Sequence, residues 1–568
     1  MKKYLIIMAA IGSAVAVNAQ SAIDAYRLSQ PDLKGTARFM GMGGAFTALG
    51  GDLSTLSQNP AGIGVYRNSE IGFTLDLDCQ HSEAGEGSMT SDVNQTKFLL
   101  NNIGAVVTLK LPSSSCPNIN FGFTYNKTTS FNRRYAGAIG LNDYTKSLSN
   151  YIADVTSAGG YAEGQLLGDE YNDYDPYNPP SSDVPAPWLS ILGYNGFLTS
   201  IADAQNNTYV GQWQNGKTSG YGYFDVMEKG SVDSYNIAFG GNISNIVFWG
   251  MDFDITHLNY TLTPNWSEVL NNAYVEGEKG MESIPAQWTL SNYYNCSGTG
   301  FNYKLGFIVK PIQEIRLGFA FHTPTWYRLT ETFGADLDYL YNNQYLGYAT
   351  TNDGYLGYND VNFRTPWKIT IGAAAVLFNK LIVSADYEWA QYNKMKYSSP
   401  SNYYDYWYPG WDDPWYDPWY AKANGPKYIS YPNQDAFYYT NQDIAEIYKS
   451  TNTFRIGAEF RLIPQISLRA GYCHVSSPVK AAFKRDGFVE TAGTVPNYRF
   501  DNDTNYLSAG IGFRIQAFYA DAAYVWKHLN SEYHAYTAYN NEYGSGTSPK
   551  SNVNLYNSQV VLSMGFKF

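Results

Sequence analysis

The feature that most limits what this chain can become is a strict period-two alternation carried to its final residue. Val560, Leu562, Met564, Phe566 and Phe568 fall on one face of the last stretch, and Val561, Ser563, Gly565 and Lys567 on the other. Successive side chains point to opposite faces of a strand, so this is a strand with one apolar face and one mixed face. Chain ends usually fray, and a soluble protein rarely places its most apolar strand there. A strand with one face in lipid and the other toward a wet interior reads this way.

The alternation recurs upstream. Ile119, Phe121, Phe123 and Tyr125 alternate with Asn120, Gly122, Thr124 and Asn126. Ile315 to Phe321, Trp367 to Ala375, Phe454 to Phe460 and Phe518 to Trp526 follow the same pattern. Counting every such run predicts 14 strands, at 70–81, 98–111, 118–131, 233–243, 247–262, 299–311, 313–329, 367–378, 380–397, 452–462, 464–476, 504–516, 517–530 and 555–568. Short connections follow the even strands (112–117, 244–245, 311–312, 379, 463–464 and near 516). Long ones follow the odd strands (82–97, 132–232, 263–298, 330–366, 398–451, 477–503 and 531–554). Short turns on one side and long loops on the other are the layout of an outer-membrane barrel. An even count puts both termini on the short-turn, periplasmic side. The expected fold is all-β: a 14-stranded antiparallel transmembrane β-barrel. A soluble sandwich or propeller also alternates, but its strands average ~5–6 residues, and these are longer.

Composition agrees. Tyr, Trp and Phe make up 17% of the chain, with 52 Tyr and 13 Trp, and charged residues only 15%, against about 25% in ordinary soluble domains. Amphipathic rings suit a membrane boundary. The mean hydropathy of −0.34 looks soluble only because lipid-facing and lumen-facing residues cancel. Net charge is −12, or −14 once Lys2 and Lys3 leave with a leader. Nucleic acid, which needs a basic footprint, is therefore not an expected partner. Residues 1–19 read as that leader: Lys2 and Lys3, an apolar run from Tyr4 to Val17, then Val17-Asn18-Ala19 as a small-x-small cleavage site. Cys79, Cys116, Cys296 and Cys473 are far apart, fit no metal spacing, and are expected to be free. No Gly-x-Ser-x-Gly, His-Glu-x-x-His or Cys-x-x-Cys is present. No catalytic residue, metal or cofactor is expected, and the chain is read as a non-enzyme.

Residues 20–66 lack the alternation and are rich in glycine. They read as a compact irregular element with short helical pieces at Ile23–Leu28 and Leu53–Leu56. Within them, Gly41-Met42-Gly43-Gly44-Ala45-Phe46-Thr47-Ala48, then Asp52, then Asn59-Pro60-Ala61-Gly62, resemble the hatch segment of the long-chain fatty acid transporter family, also called the outer-membrane hydrophobic-compound transporters. Tyr303-Lys304-Leu305-Gly306 through Ile315-Arg316-Leu317-Gly318, Leu381 to Trp389, and Arg469-Ala470-Gly471-Tyr472 with Ser477-Pro478 are similar to hairpins of that family. The likeness stops at the long loops 132–232 and 398–451. It implies a monomeric barrel (67–568) plugged by an N-terminal hatch (20–66) in the bacterial outer membrane, among lipid and lipopolysaccharide. Such a barrel passes hydrophobic small molecules, long-chain fatty acids foremost, without an energy-coupling motor. Ligand leaves sideways through an opening in the wall.

Three groups of residues carry the functional expectations. Gly41, Gly43 and Gly44 let hatch backbone approach the wall, because glycine lacks Cβ and tolerates positive φ. Asn59, Pro60 and Ala61 read as a tight turn in contact with the barrel. Among inward charges, Arg316, Arg455, Arg469 and Arg514 are the candidate lumen contacts. The bland reading is a paired, solvated lining that anchors the hatch; the sharper one has a cation holding a carboxylate headgroup. Lastly, Trp407, Trp411, Trp415 and Trp419 lie in the aromatic, proline-broken stretch 403–420. That stretch is either a self-packed cap or the binding element of a rival function, in which the barrel is a platform for attachment to glycans or host surfaces.

Overall fold

The computed structural model describes residues 21–568 apart from 31, 170–173, 181–184, 278–279, 343, 401, 408–426, 433–436, 487–488, 490, 492, 538–539, 542–543 and 546. The leader expected at 1–19 lies outside the described residues.

Fourteen strands, each antiparallel to its neighbours, close into a ring. They are β1 (Glu70–Gly85), β2 (Ser91–Lys110), β3 (Asn118–Ser130), β4 (Ser219–Ile243), β5 (Val247–Gly277), β6 (Gly280–Val309), β7 (Ile315–His322, resuming as Trp326–Tyr341), β8 (Gly357–Arg364, resuming as Lys368–Leu377), β9 (Leu381–Gln391, resuming as Lys396–Ser398), β10 (Ser450–Ile463), β11 (Ile466–Val475), β12 (Tyr498–Ile515), β13 (Phe518–His534) and β14 (Lys550–Lys567). β14 pairs with β1 from Glu70↔Lys567 to Gly85↔Asn552, so the sheet keeps no open edge. Pro324 and Pro366 sit in the breaks of β7 and β8, where a residue without an N–H cannot serve a ladder. The short turns lie where the sequence puts them. Ser244 and Asn245 both have positive φ (51° and 59°), as a two-residue hairpin turn of the primed kind requires.

Alternation sorts the faces. Val560, Leu562, Met564 and Phe566 are 43–51% exposed on the outside, whereas Val561 and Ser563 are 0% and 2% exposed. Outward apolar residues cover roughly the first ten positions above each short turn, the length a tilted strand needs to cross a bilayer. Aromatic rings mark the upper border of this belt: Trp367 packs edge-on to Trp389 at 5.1 Å, Phe301 tilts on Trp326 at 5.4 Å, and Trp526, His528 and Tyr556 stack.

Above that border the pattern inverts. On β5, Asp252, Asp254 and Thr256 face inward at belt level, but Leu258, Tyr260, Leu262, Trp266 and Leu270 face inward above it. The upper outward positions become His257, Asn259, Thr261 and Thr263. Outside the bilayer the apolar face turns in to make a core and the polar face turns to water. For this reason the stretches expected as loops at 82–97, 263–298, 330–366 and 531–554 are strand for much of their length. The expected loop 132–232 likewise holds a strand, Arg133–Leu141, paired with β4, and the helices α4 (Leu148–Gly159) and α5 (Trp188–Asn195).

The N-terminal element fills the bore. It comprises α1 (Ala22–Ser29), α2 (Ala37–Gly41), α3 (Thr55–Gln58) and a 3₁₀ turn, Pro60–Val65. Ser21 and Asp24 close a capping box on α1, and the Thr36 side chain accepts from Phe39 N–H to cap α2. The chain runs downward, from α1 at the height of Tyr260 and Tyr392 to Tyr66 beside Asn118 near the short turns. Hence the two ends differ. The C terminus lies at the short-turn rim, where Phe568 and Ser69 exchange backbone hydrogen bonds of 2.9 Å. Ser21, the first described residue, lies high in the bore rather than at that rim.

Candidate functional site

The site is the bore, which divides at about residue 33 into a lower seal and an upper shaft. In the seal, side chains of the wall satisfy the hatch. Lys34 Nζ donates to Asp76 at 2.7 Å, Gln559 at 3.0 Å and Asp78 at 3.2 Å, with all three charged side chains essentially inaccessible to solvent. Burial works against the charge on Lys34, but Asp78 and Asp76 outweigh it and hold the ammonium pKa above its ordinary value. Asp32 accepts from Tyr506 Oη at 2.9 Å and Lys527 Nζ at 3.1 Å. Arg38 Nε and Arg469 Nε both donate to Glu459 Oε2, at 2.8 and 2.7 Å, and Arg469 Nη1 reaches Asp521 at 2.6 Å. Thr47 N and Oγ1 both donate to Asp386, at 2.9 and 2.8 Å.

These contacts locate the candidate cations. Arg469 belongs to the ion network that holds α2. Arg455 Nη2 donates to Glu388 at 3.0 Å. Arg316 Nη1 donates to the Leu49 carbonyl at 3.0 Å, and its Nε is buried without a partner. Arg514 faces solvent at the short-turn rim, two residues from the turn residue Gln516. Its parity is inward, between the outward-facing Phe513 and Ile515, so it stands at the open lower mouth of the bore rather than deep in the lumen.

The hatch residues sit against the wall. Gly43 and Gly44 have φ of 62° and 75°, a region an L side chain enters only at a cost. A Cβ on Gly43 would lie 2.8 Å from Tyr472 N, and a Cβ on Gly471 opposite would overlap Gly43 N and Met42 C. Gly41 faces Ala523 and Gly510 at ordinary contact distance. Asn59 caps the 3₁₀ turn, accepting from Ala61 N–H at 3.1 Å while donating to the Thr47 carbonyl at 2.6 Å. Pro60 carbonyl and Ala61 N press on Gly250, and Asn59 Oδ1 presses on Gly306. The close fit of the hatch against wall glycines 250, 306 and 471 is a feature the sequence reading did not assign. The available signal was a glycine at an inward position between bulky lipid-facing neighbours, as at Leu305-Gly306-Phe307.

The upper shaft is aromatic and apolar around a buried ion network, in which Arg499 meets Asp501 at 2.9 Å and Glu228 at 3.2 Å, Arg133 meets Glu228 at 3.5 Å and Arg27 meets Asp24 at 3.0 Å. Ala22, Ile23, Ala25 and Leu28 of α1 are buried in one contiguous cluster with Phe131, Tyr260, Leu329, Phe363, Tyr397 and Tyr448 of the wall and cap. Tyr26 packs on Tyr392 and Tyr448 at 5.4 and 5.5 Å. Tyr260 Oη and Tyr397 Oη are buried with no hydrogen-bond partner among the described residues. A small cavity opens beside the start of α1, lined by Asp24, Arg27, Leu262 and Tyr294. All four cysteines are free; Cys473 faces the bore. Trp407 ends a strand, Asn402–Trp407, paired with Lys427–Pro432. Trp411, Trp415 and Trp419 lie outside the described residues.

No protein-family model and no curated protein matches the chain. Among solved structures it is similar to a Pseudomonas aeruginosa FadL homologue, at 13% identity and a TM-score of 0.49 over 95% of this chain and 99% of that one. It is also similar to the Ralstonia pickettii toluene transporter TbuX, with 13% identity, a TM-score of 0.43 and coverage of 94% and 99%. The P. putida toluene transporter TodX gives 13%, 0.44 and the same coverage. The fold and the bore described above rest on this chain's own geometry.

Proposed function

We propose that this chain is a passive outer-membrane channel for hydrophobic small molecules, with long-chain fatty acids as its foremost cargo. The observation that carries the reading is the division of the bore. Below, a charged and hydrogen-bonded hatch blocks ions and water. Above, an aromatic shaft is occupied by the apolar face of a short helix, which an apolar chain can replace like for like. Each CH₂ moved from water into such a shaft is worth ~0.8 kcal/mol, so a long tail binds with few polar contacts. The unpartnered Tyr260 and Tyr397 hydroxyls offer donors to a polar head.

One observation supports the sideways exit that the family resemblance implies. The β2–β3 ladder runs only from Asn102↔Asn126 to Lys110↔Asn118. Above it the exposed Phe98 and Leu100 of β2 have no β3 partner. Solved structures described as toluene transporters share the overall outline, which is consistent with apolar cargo.

Cross-linking the hatch to the wall tests the proposal. T47C/D386C joins two side chains already in contact. Uptake of labelled palmitate into cells should fall to background when the pair is oxidised, recover on reduction, and persist in each single variant. Uptake that ignores the cross-link contradicts transport through the bore. Retained uptake after removal of 403–420 distinguishes this reading from an attachment function of that stretch.

A further inference from the structure

Four cations stand together on the outside of the barrel with no counter-charge among the described residues. Arg328 on β7, Arg364 on β8, and Lys394 and Lys396 at the break of β9 are all exposed. Arg364 lies directly across from Lys396, and Trp326, two residues before Arg328, lies across from Arg364. Directly opposed side chains on one face have Cβ atoms ~4.5–5.5 Å apart and diagonal ones sit ~7–8 Å apart, so three adjacent strands gather their charge into one patch. Arg364 Nη2 donates to the Lys394 carbonyl at 3.4 Å. Among the described residues no carboxylate comes within ion-pair distance of any of the four. The acid on this face of β8, Asp360, is engaged by Thr330 Oγ1 at 2.7 Å and Tyr358 Oη at 3.0 Å.

Elsewhere above the belt some cations are matched, Lys127 with Asp233 at 2.6 Å, Arg134 with Asp225 at 2.7 Å and Lys550 with Glu532 at 3.2 Å, and what sets this patch apart is that four cations on three adjacent strands share it. Like charges facing each other across a ladder destabilise it, so an uncompensated Arg364–Lys396 pair calls for an anion from outside the chain. Height indicates which anion. Trp326 lies level with Arg364, and Trp367 and Trp389 lie immediately below the patch; indoles settle at the membrane–water boundary. Below them is the apolar belt. The cations therefore stand one step above the hydrocarbon, at the level of lipid phosphates, and guanidinium groups bind phosphate oxygens in pairs.

We infer that Arg328, Arg364, Lys394 and Lys396 form a binding site on the outer wall for the phosphate-bearing headgroup of an outer-leaflet lipid, whose acyl chains lie along the belt beneath the three indoles. The inference rests on the reading of this barrel as a membrane protein and adds a specific lipid contact to it.

The test uses the full chain in detergent micelles, titrated with diphosphoryl lipid A, with lipid A stripped of both phosphates, and with inorganic phosphate, and read by native mass spectrometry. The wild type should retain the diphosphoryl form. R328Q/R364Q/K394Q/K396Q should weaken that retention by at least about tenfold, while D412N/D413N/D417N leaves it in place. Heat-modifiable migration on gels confirms a folded barrel in each variant, and K394Q/K396Q, at the strand break, serves if the fourfold change does not fold. Equal retention of phosphorylated and stripped lipid, equal retention by wild type and the fourfold variant, or displacement by millimolar inorganic phosphate each overturns the lipid site. A wild-type chain that stays folded without detergent would instead overturn the membrane reading beneath it.

Discussion

The two halves of the hatch meet the same barrel in opposite ways. Residues 34–66 are held by charge, by hydrogen bonds and by backbone laid against wall glycines, so that half is specific and costly to move. Residues 22–29 carry one internal ion pair, Arg27 with Asp24 at 3.0 Å, and meet the wall by burying a small apolar face among tyrosines, with no ion pair to the wall among the described residues, a contact apolar groups can replace. On the proposed function, the difference separates permeability from selectivity: the lower half would decide whether anything passes, the upper half what kind of molecule is admitted.

The comparison breaks most plainly if the hatch is removed. Deleting 21–66 should raise the conductance of the reconstituted barrel by orders of magnitude in planar bilayers; an unchanged baseline would mean the lower half is not the seal. Next in size is Lys34→Met. It leaves Asp76 and Asp78 buried without their cation, a loss of about 3–5 kcal/mol, and should expose the hatch to protease while the barrel stays heat-modifiable.

A third region, the cap formed above the membrane by the upper end of β5 and α4 (Leu148–Gly159), offers a pH test. Glu268 accepts from Leu148 N and Trp266 Nε1 at 2.8 Å each, has a buried oxygen with no partner, and forms no ion pair among the described residues. Burial pushes its pKa up to about 7, above the ordinary 4.5. The folded cap thus holds a proton that the unfolded chain has lost between about pH 4.5 and 7. Its stability should fall as pH rises through that window, by about 3 kcal/mol, and level off above it. Hydrogen exchange of α4 at pH 5 and 8 measures this, and E268Q should flatten the difference. Smaller still is Gly471→Ala, whose methyl meets the hatch backbone at Gly43; roughly 1–3 kcal/mol should loosen the hatch without altering Lys34 or the cap.

Sequence alone reached the barrel because a bilayer imposes one rule on every crossing strand, and that rule is visible as alternation. All fourteen strands and the short turns between them follow from it. It failed above the membrane for the same reason: at Leu258 and beyond, the apolar face changes sides, and a reading tuned to lipid-facing residues stops there. The hatch was visible in Gly41 to Ala61 as a break in the pattern. Its partners were not, since the match of Lys34 to Asp76 and Asp78, or of Gly43 to Gly471, is set by register around the ring. Arg514 is exposed despite its inward parity because the bore opens to water at the short-turn mouth. The shaft around α1 was also out of reach, as its tyrosines come from distant strands that look alike one at a time.

The central claim, that apolar cargo takes the place of α1 in the upper shaft, is tested most directly by photolabelling. The full chain in detergent would be irradiated with a diazirine-bearing palmitate and the adducts mapped by peptide mass spectrometry. Labelling of Tyr260, Tyr392 or Tyr448 that is competed by unlabelled palmitate, together with new protease cleavage within 21–30, is the predicted result. Adducts confined to lipid-facing belt residues such as Phe123 and Leu562, with α1 still protected, would contradict it.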